Sequence, residues 1–184
     1  MVKLVTPRGV LGYTSLTVAQ GFKGAEENKK YNAQLILEGR EAKEFVANLE
    51  KEYLKMHARE VENQRAKGGN TRFQVPLVPL KELGPDTLQL NFSRKELDGP
   101  PVVLDSEGAM LTGRLERGAK AEIAFELKPW LLKTGIFGIT LRLIAVKVYS
   151  GVLSAEEVND LFGITTSKPT TTKDDSKISI KDLF

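Results

Sequence analysis

The sequence predicts a mainly β protein (β+α) with a single long helix. Most of the chain consists of short runs in which apolar and polar residues alternate, the pattern of half-buried strands. Only one stretch, residues 40–67, has the period of an amphipathic helix. Because strands and helices do not alternate along the chain, a parallel α/β sheet is not expected. The expected architecture is a small barrel of five strands.

The first predicted strand spans residues 10–18 and leads into a loop bracketed by glycines. Leu16 and Val18 are expected on its inner face, which leaves Tyr13 on the outer face. In the loop, an aromatic side chain stands beside a cation, and both are candidates for a binding surface: Phe22 and Lys23.

The second strand and the helix follow directly. Residues 31–37 alternate apolar and polar side chains and are expected to form a half-buried strand. Apolar residues then recur at i, i+3, i+4 and i+7 over residues 40–67, which predicts one amphipathic helix. His57, in the middle of this helix, is expected at its surface. Glycine-rich residues 68–70 end the helix, because a C-cap needs positive φ.

The remainder of the body is predicted to be β. Three prolines make residues 76–85 an irregular extended stretch. Residues 87–93 alternate apolar and polar side chains and form the next strand. A short apolar strand at residues 102–104 is closed by the turn-forming residues 105–108.

The two longest strands come last. Residues 120–128 alternate apolar and charged side chains, and Trp130 shares the parity of the charged ones, so it is expected to point outward. In the final strand, the apolar parity changes near Leu143, as a β-bulge would require. Bulges bend strands around small barrels, and an oligonucleotide-binding (OB)-like fold is therefore the leading candidate.

The predicted OB-like domain covers residues 1–153. Ser154 and Glu157 form a capping box, which predicts a short helix over residues 154–163. Residues 164–184 are rich in Thr, Ser, Lys and Asp, so we expect a flexible, disordered C-terminal tail. Hydrophobic residues return at its very end, which is typical of a docking peptide: Asp182, Leu183 and Phe184.

Composition permits a nucleic-acid partner and argues against a disulfide-linked, membrane-spanning or metal-dependent protein. The 184 residues carry a net charge of +3, and acidic residues outnumber basic ones beyond residue 153, so the body is more basic than the total suggests. The absence of cysteine excludes disulfides and thiolate metal sites and fits a cytoplasmic setting. Neither a membrane span nor a signal peptide is expected. One histidine and no phosphate-binding loop predict no metal and no cofactor.

The outward residues of the predicted strands suggest a surface for single-stranded DNA. Such a surface needs aromatic faces for bases and cations for phosphates. The alternative is that the charges are solvated and the aromatic residues close the barrel ends. The predicted site consists of Tyr13, Phe22, Lys23, Lys30, Arg94, Lys95, Lys128, Trp130, Lys133 and Arg142, with Tyr149 as a weaker candidate.

Two other functions remain open at this point. Asp105, Glu126 and Lys128 loosely match the acid and Glu-x-Lys arrangement of metal-dependent nucleases. In a chain that is 28% charged, this spacing arises easily by chance. Asp105 is also a typical turn residue, and Glu126 and Lys128 are expected on the exposed side of a strand. A β-rich structural or assembly protein is the other alternative. No catalytic residue is predicted.

Several motifs together resemble a known family. They are the N-terminal strand with its glycine–aromatic loop, the helix carrying Tyr53, the PVVLDSEG segment at residues 101–108, and the Pro129-Trp130 step between the last strands. This combination resembles the bacteriophage replication single-stranded DNA-binding proteins of the T-odd podophage type. The resemblance implies an OB fold and cooperative or dimeric coating of single strands during phage replication or recombination.

The resemblance also implies a role for the C-terminal tip. In this family, a terminal Phe docks on replication proteins such as DNA polymerase, and Phe184 with Asp182 and Leu183 would carry that role here. Tails of the family are strongly acidic, whereas this tail mixes aspartates with four lysines. A near-neutral tail should occupy a DNA groove only weakly, so partner docking is the role expected of it.

Overall fold

A computed structural model describes residues 2–22, 25–69, 79–111, 114–132 and 136–153. Lys23, Lys133, the predicted helix at residues 154–163 and the predicted tail lie outside the described residues, and so do Asp182, Leu183 and Phe184. The described elements are β1 (Lys3–Val5), β2 (Gly9–Phe22), β3 (Ala25–Glu38), α1 (Gly39–Ala66), β4 (Leu80–Gly84), β5 (Thr87–Lys95), β6 (Val102–Leu104), β7 (Arg114–Leu131) and β8 (Phe137–Leu153).

Five of the strands form a closed ring in the order β7-β2-β3-β5-β8, and β8 pairs back to β7. All neighbours in the ring are antiparallel except β5 and β8, which are parallel. The remaining strands extend the ring, with β1 on β7, β4 on β5 and β6 on β8. The prediction of a mainly β, five-stranded OB-like architecture with one long helix is confirmed.

The core lies inside this ring. The inward residues of β3 and β5 follow the predicted alternation and are buried. Phe125 of β7 packs edge-on against Phe92 of β5 and Phe45 of α1, with ring centroids 5.1 and 6.3 Å away. Helix α1 packs on the core through its apolar stripe, and burial raises the pKa of Tyr53. The helix is followed by Gly68, whose φ of +68° is a conformation that glycine adopts without strain.

The predicted bulge in the last strand is present. Ala124 of β7 pairs with Ala145, whereas its neighbour Phe125 pairs with Leu143. Ile144 is therefore the additional residue, and the inward face continues with Val146 beyond it. A bulge bends the strand and increases its twist, which suits a strand that pairs with three different partners.

The inner face predicted for the first strand is wrong at Val18, whose side chain is 68% exposed. Three irregularities shift the pairing of β2 with β3, after Leu11, after Ser15 and after Gln20. Each shift changes which side chains face inward. Ser15 is consequently buried, and its hydroxyl accepts a hydrogen bond from the Asn32 N–H at 3.2 Å.

Three further expectations are corrected. Glu126, predicted to be exposed, is only 5% exposed, because it lies beneath an arginine of the neighbouring strand. His57, predicted at the helix surface, is half-buried, because its ring packs edge-on against Phe137 at 5.5 Å. Strand β4 occupies part of the stretch predicted to be irregular, and β1 was not predicted, because three residues are too few to show a period. None of the helices within the described ranges has the length and apolarity to span a membrane.

Candidate nucleic-acid interface

A cleft of about 230 Å³ opens on the outer side of the ring. Strands β3, β5, β7 and β8 contribute to it, because every second residue of a strand points outward. We call it the basic cleft. Six of the predicted site residues line it: Lys30, Arg94, Lys95, Lys128, Trp130 and Arg142.

Trp130 owes its position to a glycine on the neighbouring strand. Trp130 pairs with Gly138, and a Cβ on that glycine would lie 2.1 Å from the indole Cζ2. The six-membered part of the indole therefore occupies space that any other residue would fill, an arrangement known from aromatic side chains that cover glycines in sheets. The side chain is nevertheless 43% exposed. One part of the indole is packed on the protein, and the rest is available to a ligand.

Three lysines supply positive charge to the basic cleft. Lys30, Lys95 and Lys128 are exposed, and within the described parts of the chain none of them forms an ion pair. Lys30 and Lys95 are direct cross-strand partners. Like charges placed opposite each other in a sheet are destabilising. A bound anion would remove this repulsion.

The two arginines of the cleft are engaged by the protein itself. Arg142 forms ion pairs with Asp98 at 3.2 Å and with Glu126 at 3.1 Å. The hydrogen bond to Glu126, followed by the interactions with Asp98, raises the pKa of Arg142. Arg94 donates from Nε to the Gly99 carbonyl at 2.7 Å and also hydrogen bonds the Asp98 carbonyl. Both arginines thus hold the segment after β5, and the charge of Arg142 is balanced by two carboxylates, whereas Arg94 contacts neutral carbonyls.

Of the other predicted aromatic residues, Tyr13 and Tyr149 lie outside the basic cleft. Tyr13 is exposed on β2, and its hydroxyl hydrogen bonds Gln20. Tyr149 donates its hydroxyl to Glu122 at 2.9 Å, and the Arg8 guanidinium lies 3.6 Å from its ring centroid. This ring face is covered, and it lies at the opposite end of the β7–β8 ladder from Trp130.

Phe22 belongs to the end of β2, where its backbone pairs with Ala25 beside the loop that contains Lys23. The side chain of Phe22 lies outside the described part of the structure. Its predicted stacking role therefore stays a prediction.

The carboxylates proposed for a nuclease are both engaged. Asp105 Oδ1 accepts the backbone N–H groups of Glu107 and Ala109, each at 2.9 Å, as a turn-forming aspartate does. Glu126 is buried against Arg142. No group of three or more potential metal ligands occurs among the described residues. The arrangement offers stacking and phosphate neutralisation rather than a pair of free carboxylates.

The closed ring, the long helix α1 and the basic cleft define an OB-like protein with an outward aromatic and basic surface. No protein family and no curated protein matches the chain in sequence. Solved structures of bacteriophage single-stranded DNA-binding proteins share its fold, which confirms the family resemblance at the level of the fold.

One of these is gp2.5, a single-stranded DNA-binding protein encoded by bacteriophage T7. It superimposes with a TM-score of 0.69 and 17% identity over 84% of this chain and 96% of that chain. Another is the single-stranded DNA-binding protein from bacteriophage Enc34 in complex with single-stranded DNA. There the TM-score is 0.59 and the identity 14%, over 79% of this chain and 85% of that chain.

Proposed function

We propose that this chain is a non-catalytic, sequence-independent single-stranded DNA-binding protein. It would coat single strands during phage-type DNA replication or recombination in the host cytoplasm. The observation that carries the proposal is the basic cleft, where a partly exposed tryptophan lies among three lysines that have no acidic partner in the described structure. The names of the proteins that share the fold support the same function.

Each component of the cleft has a separate energetic role. An aromatic ring can stack on any base, and such stacking is worth roughly 1–3 kcal/mol per base. Lysines that neutralise phosphates release counterions, which makes the affinity depend on salt. Neither contact reads the hydrogen-bonding edge of a base, so little sequence preference is expected. This chemistry requires no metal and no cofactor.

The C-terminal tip is proposed to recruit partners. Asp182, Leu183 and Phe184 would dock on replication proteins such as DNA polymerase, and the unit that coats DNA would be a homodimer. The support is the family resemblance together with hydrophobic residues at the end of a polar segment. Deleting Leu183 and Phe184 should leave the affinity for DNA unchanged and remove polymerase binding. Loss of DNA binding would refute this division of roles.

The deciding experiment uses the only tryptophan as the reporter. Trp130 fluorescence is followed while single-stranded DNA is added at several salt concentrations, with a duplex of the same sequence as the control. We expect quenching by the single strand alone. If the three lysines each contact one phosphate, the logarithm of affinity should fall with the logarithm of salt with a slope of about −2.

Two results would contradict the proposal. The absence of binding at low salt would leave a structural or assembly protein as the better explanation. Degradation of the strand after addition of Mg²⁺, visible on a gel, would favour the nuclease. Intact strands together with salt-dependent quenching would support the single-stranded DNA-binding protein.

A further inference from the structure

The turn after β5 exposes a leucine almost completely. Glu96–Asp98 forms one turn of 3₁₀ helix, and the Leu97 side chain at its centre is 96% exposed. This is the highest exposed fraction among the large hydrophobic residues in the described structure. A single exposed apolar residue is ordinary on a protein surface. Leu97 is of interest because its turn is firmly held and lies beside the basic cleft.

This turn is firmly held. Arg94 hydrogen bonds the carbonyls of Asp98 and Gly99 at its end, and it reaches the Leu143 carbonyl of β8 at 3.4 Å. Arg142 of β8 forms an ion pair with the Asp98 carboxylate at 3.2 Å. Two arginines thus tie the turn to the ring from two strands. The turn is therefore held in a conformation that leaves Leu97 exposed to solvent.

The turn also lies beside two clefts. Asp98 lines the basic cleft, whereas Pro100 and Pro101 line a second cleft of about 660 Å³. The lining of this second cleft also includes Gln20, which is the cross-strand partner of Lys30 in the basic cleft. The two clefts are therefore adjacent, with the turn beside both of them.

The second cleft differs from the first in its chemistry. Its lining combines apolar side chains such as Met110 and Leu111 with neutral polar ones such as Thr17 and Gln20, and no lysine or arginine is among the lining residues that the structure describes. Such a lining suits an uncharged base better than a phosphate. A strand that places one base in the basic cleft could place the next base here.

We propose that Leu97 is a wedge that inserts between two adjacent bases of the bound strand. One base stacks on Trp130 in the basic cleft, and the next enters the second cleft. Apolar side chains are known to enter between stacked bases and separate them. The inference rests on the proposed function and adds a mechanism to it: the protein removes secondary structure because a strand opened at Leu97 cannot keep continuous base stacking.

The first test compares Leu97→Ala with Leu54→Ala, which removes an exposed leucine from α1. For Leu97→Ala, we expect the affinity for single-stranded DNA to fall about tenfold, the effect of uncovering most of one leucine side chain. Opening of a DNA hairpin should weaken in parallel. The salt dependence should not change, because Leu97 contacts no phosphate. The control should behave as the wild type does.

The second test looks for direct contact. Leu97→Trp is combined with Trp130→Phe, so that the only indole lies on the turn, and the matched control combines Leu54→Trp with Trp130→Phe. Single-stranded DNA should quench the first protein and not the second. Binding without quenching at position 97 would overturn the wedge.

These experiments separate the two proposals. If the wild type does not bind single strands, the proposed function fails. If the wild type binds and Leu97→Ala matches it in affinity and hairpin opening, only the wedge fails. The wedge is also overturned if Leu97→Ala alters the sedimentation of the free protein and leaves DNA binding unchanged, since Leu97 would then contact a second copy of the chain.

Discussion

Replacing Gly138 with alanine should prevent Trp130 from stacking on a base, although residue 130 itself is unchanged. The new Cβ would lie 2.1 Å from Cζ2, 2.4 Å from Cε2 and 2.6 Å from Cη2 of the indole. Carbon atoms in contact prefer separations of about 3.5–4.0 Å, so the ring must move by more than about 1 Å or change rotamer. The cross-strand backbone at Gly138 is fixed by the β7–β8 ladder, and the indole is therefore the part that moves.

The expected cost follows from the contact that is lost. If the displaced indole no longer stacks on a base, the affinity for single-stranded DNA should fall by roughly 1–3 kcal/mol, or about 5- to 150-fold. Trp130→Ala sets the upper limit of this effect. The assay is the anisotropy of a labelled oligonucleotide, which does not depend on tryptophan, and urea unfolding checks that the fold is retained.

A double-mutant cycle makes the test stringent. If Gly138→Ala acts only through Trp130, it should cost nothing further in the Trp130→Ala background. Additive losses would show that Gly138 acts independently of the indole. The reasoning would be refuted if Trp130→Ala weakened binding and Gly138→Ala, with the fold intact, did not.

Three other predictions concern charge. Lys95→Ala should raise the free energy of unfolding slightly, because it removes the repulsion with Lys30. It should also lower the steepness with which DNA affinity falls with salt, by about 0.7 in the log–log slope. An unchanged slope would mean that Lys95 contacts no phosphate. Glu126→Gln leaves Arg142 without its buried partner and should destabilise the fold by about 2–3 kcal/mol in urea unfolding, whereas Glu116→Gln, an exposed control on β7, should have little effect. Burial raises the pKa of Tyr53. The contribution of its neutral hydroxyl to the free energy of unfolding is therefore complete below the unfolded-state pKa of about 10 and is lost as pH rises above that value. Tyr53→Phe should reduce this loss of stability at high pH, and an identical pH profile would contradict the assignment.

Sequence alone predicted the parts of the fold in which one local period persists. The alternation in β3 and β5 identified their buried faces, and the helical period identified α1. The prediction of the buried face failed in β2, because pairing irregularities shift the register and place Val18 outside and Ser15 inside. Such shifts depend on the partner strand, and the sequence of β2 by itself does not contain them. The bulge at Ile144 was predictable because the apolar residues themselves change parity there.

The candidate site shows the same division between local and long-range information. Parity alone placed Trp130 and Lys128 on the outer face, and the structure brings them into one cleft. Parity could not show that Arg142 lies opposite Glu126, because the two residues belong to different strands. It also could not show that Gly138 shapes the position of Trp130. These roles depend on cross-strand register, which a single sequence does not specify.

The way the ring closes determines when the basic cleft becomes complete during synthesis. Strand β8 pairs with both β5 and β7, and its parallel contact with β5 joins Phe92 to Leu141 across a long stretch of chain. Contacts between residues so distant in sequence slow folding, because the intervening chain must be ordered first. The basic cleft takes residues from both sides of this closure, so it is incomplete until β8 has paired. A nascent chain on the ribosome therefore has no complete surface with which to capture DNA until β8 has emerged.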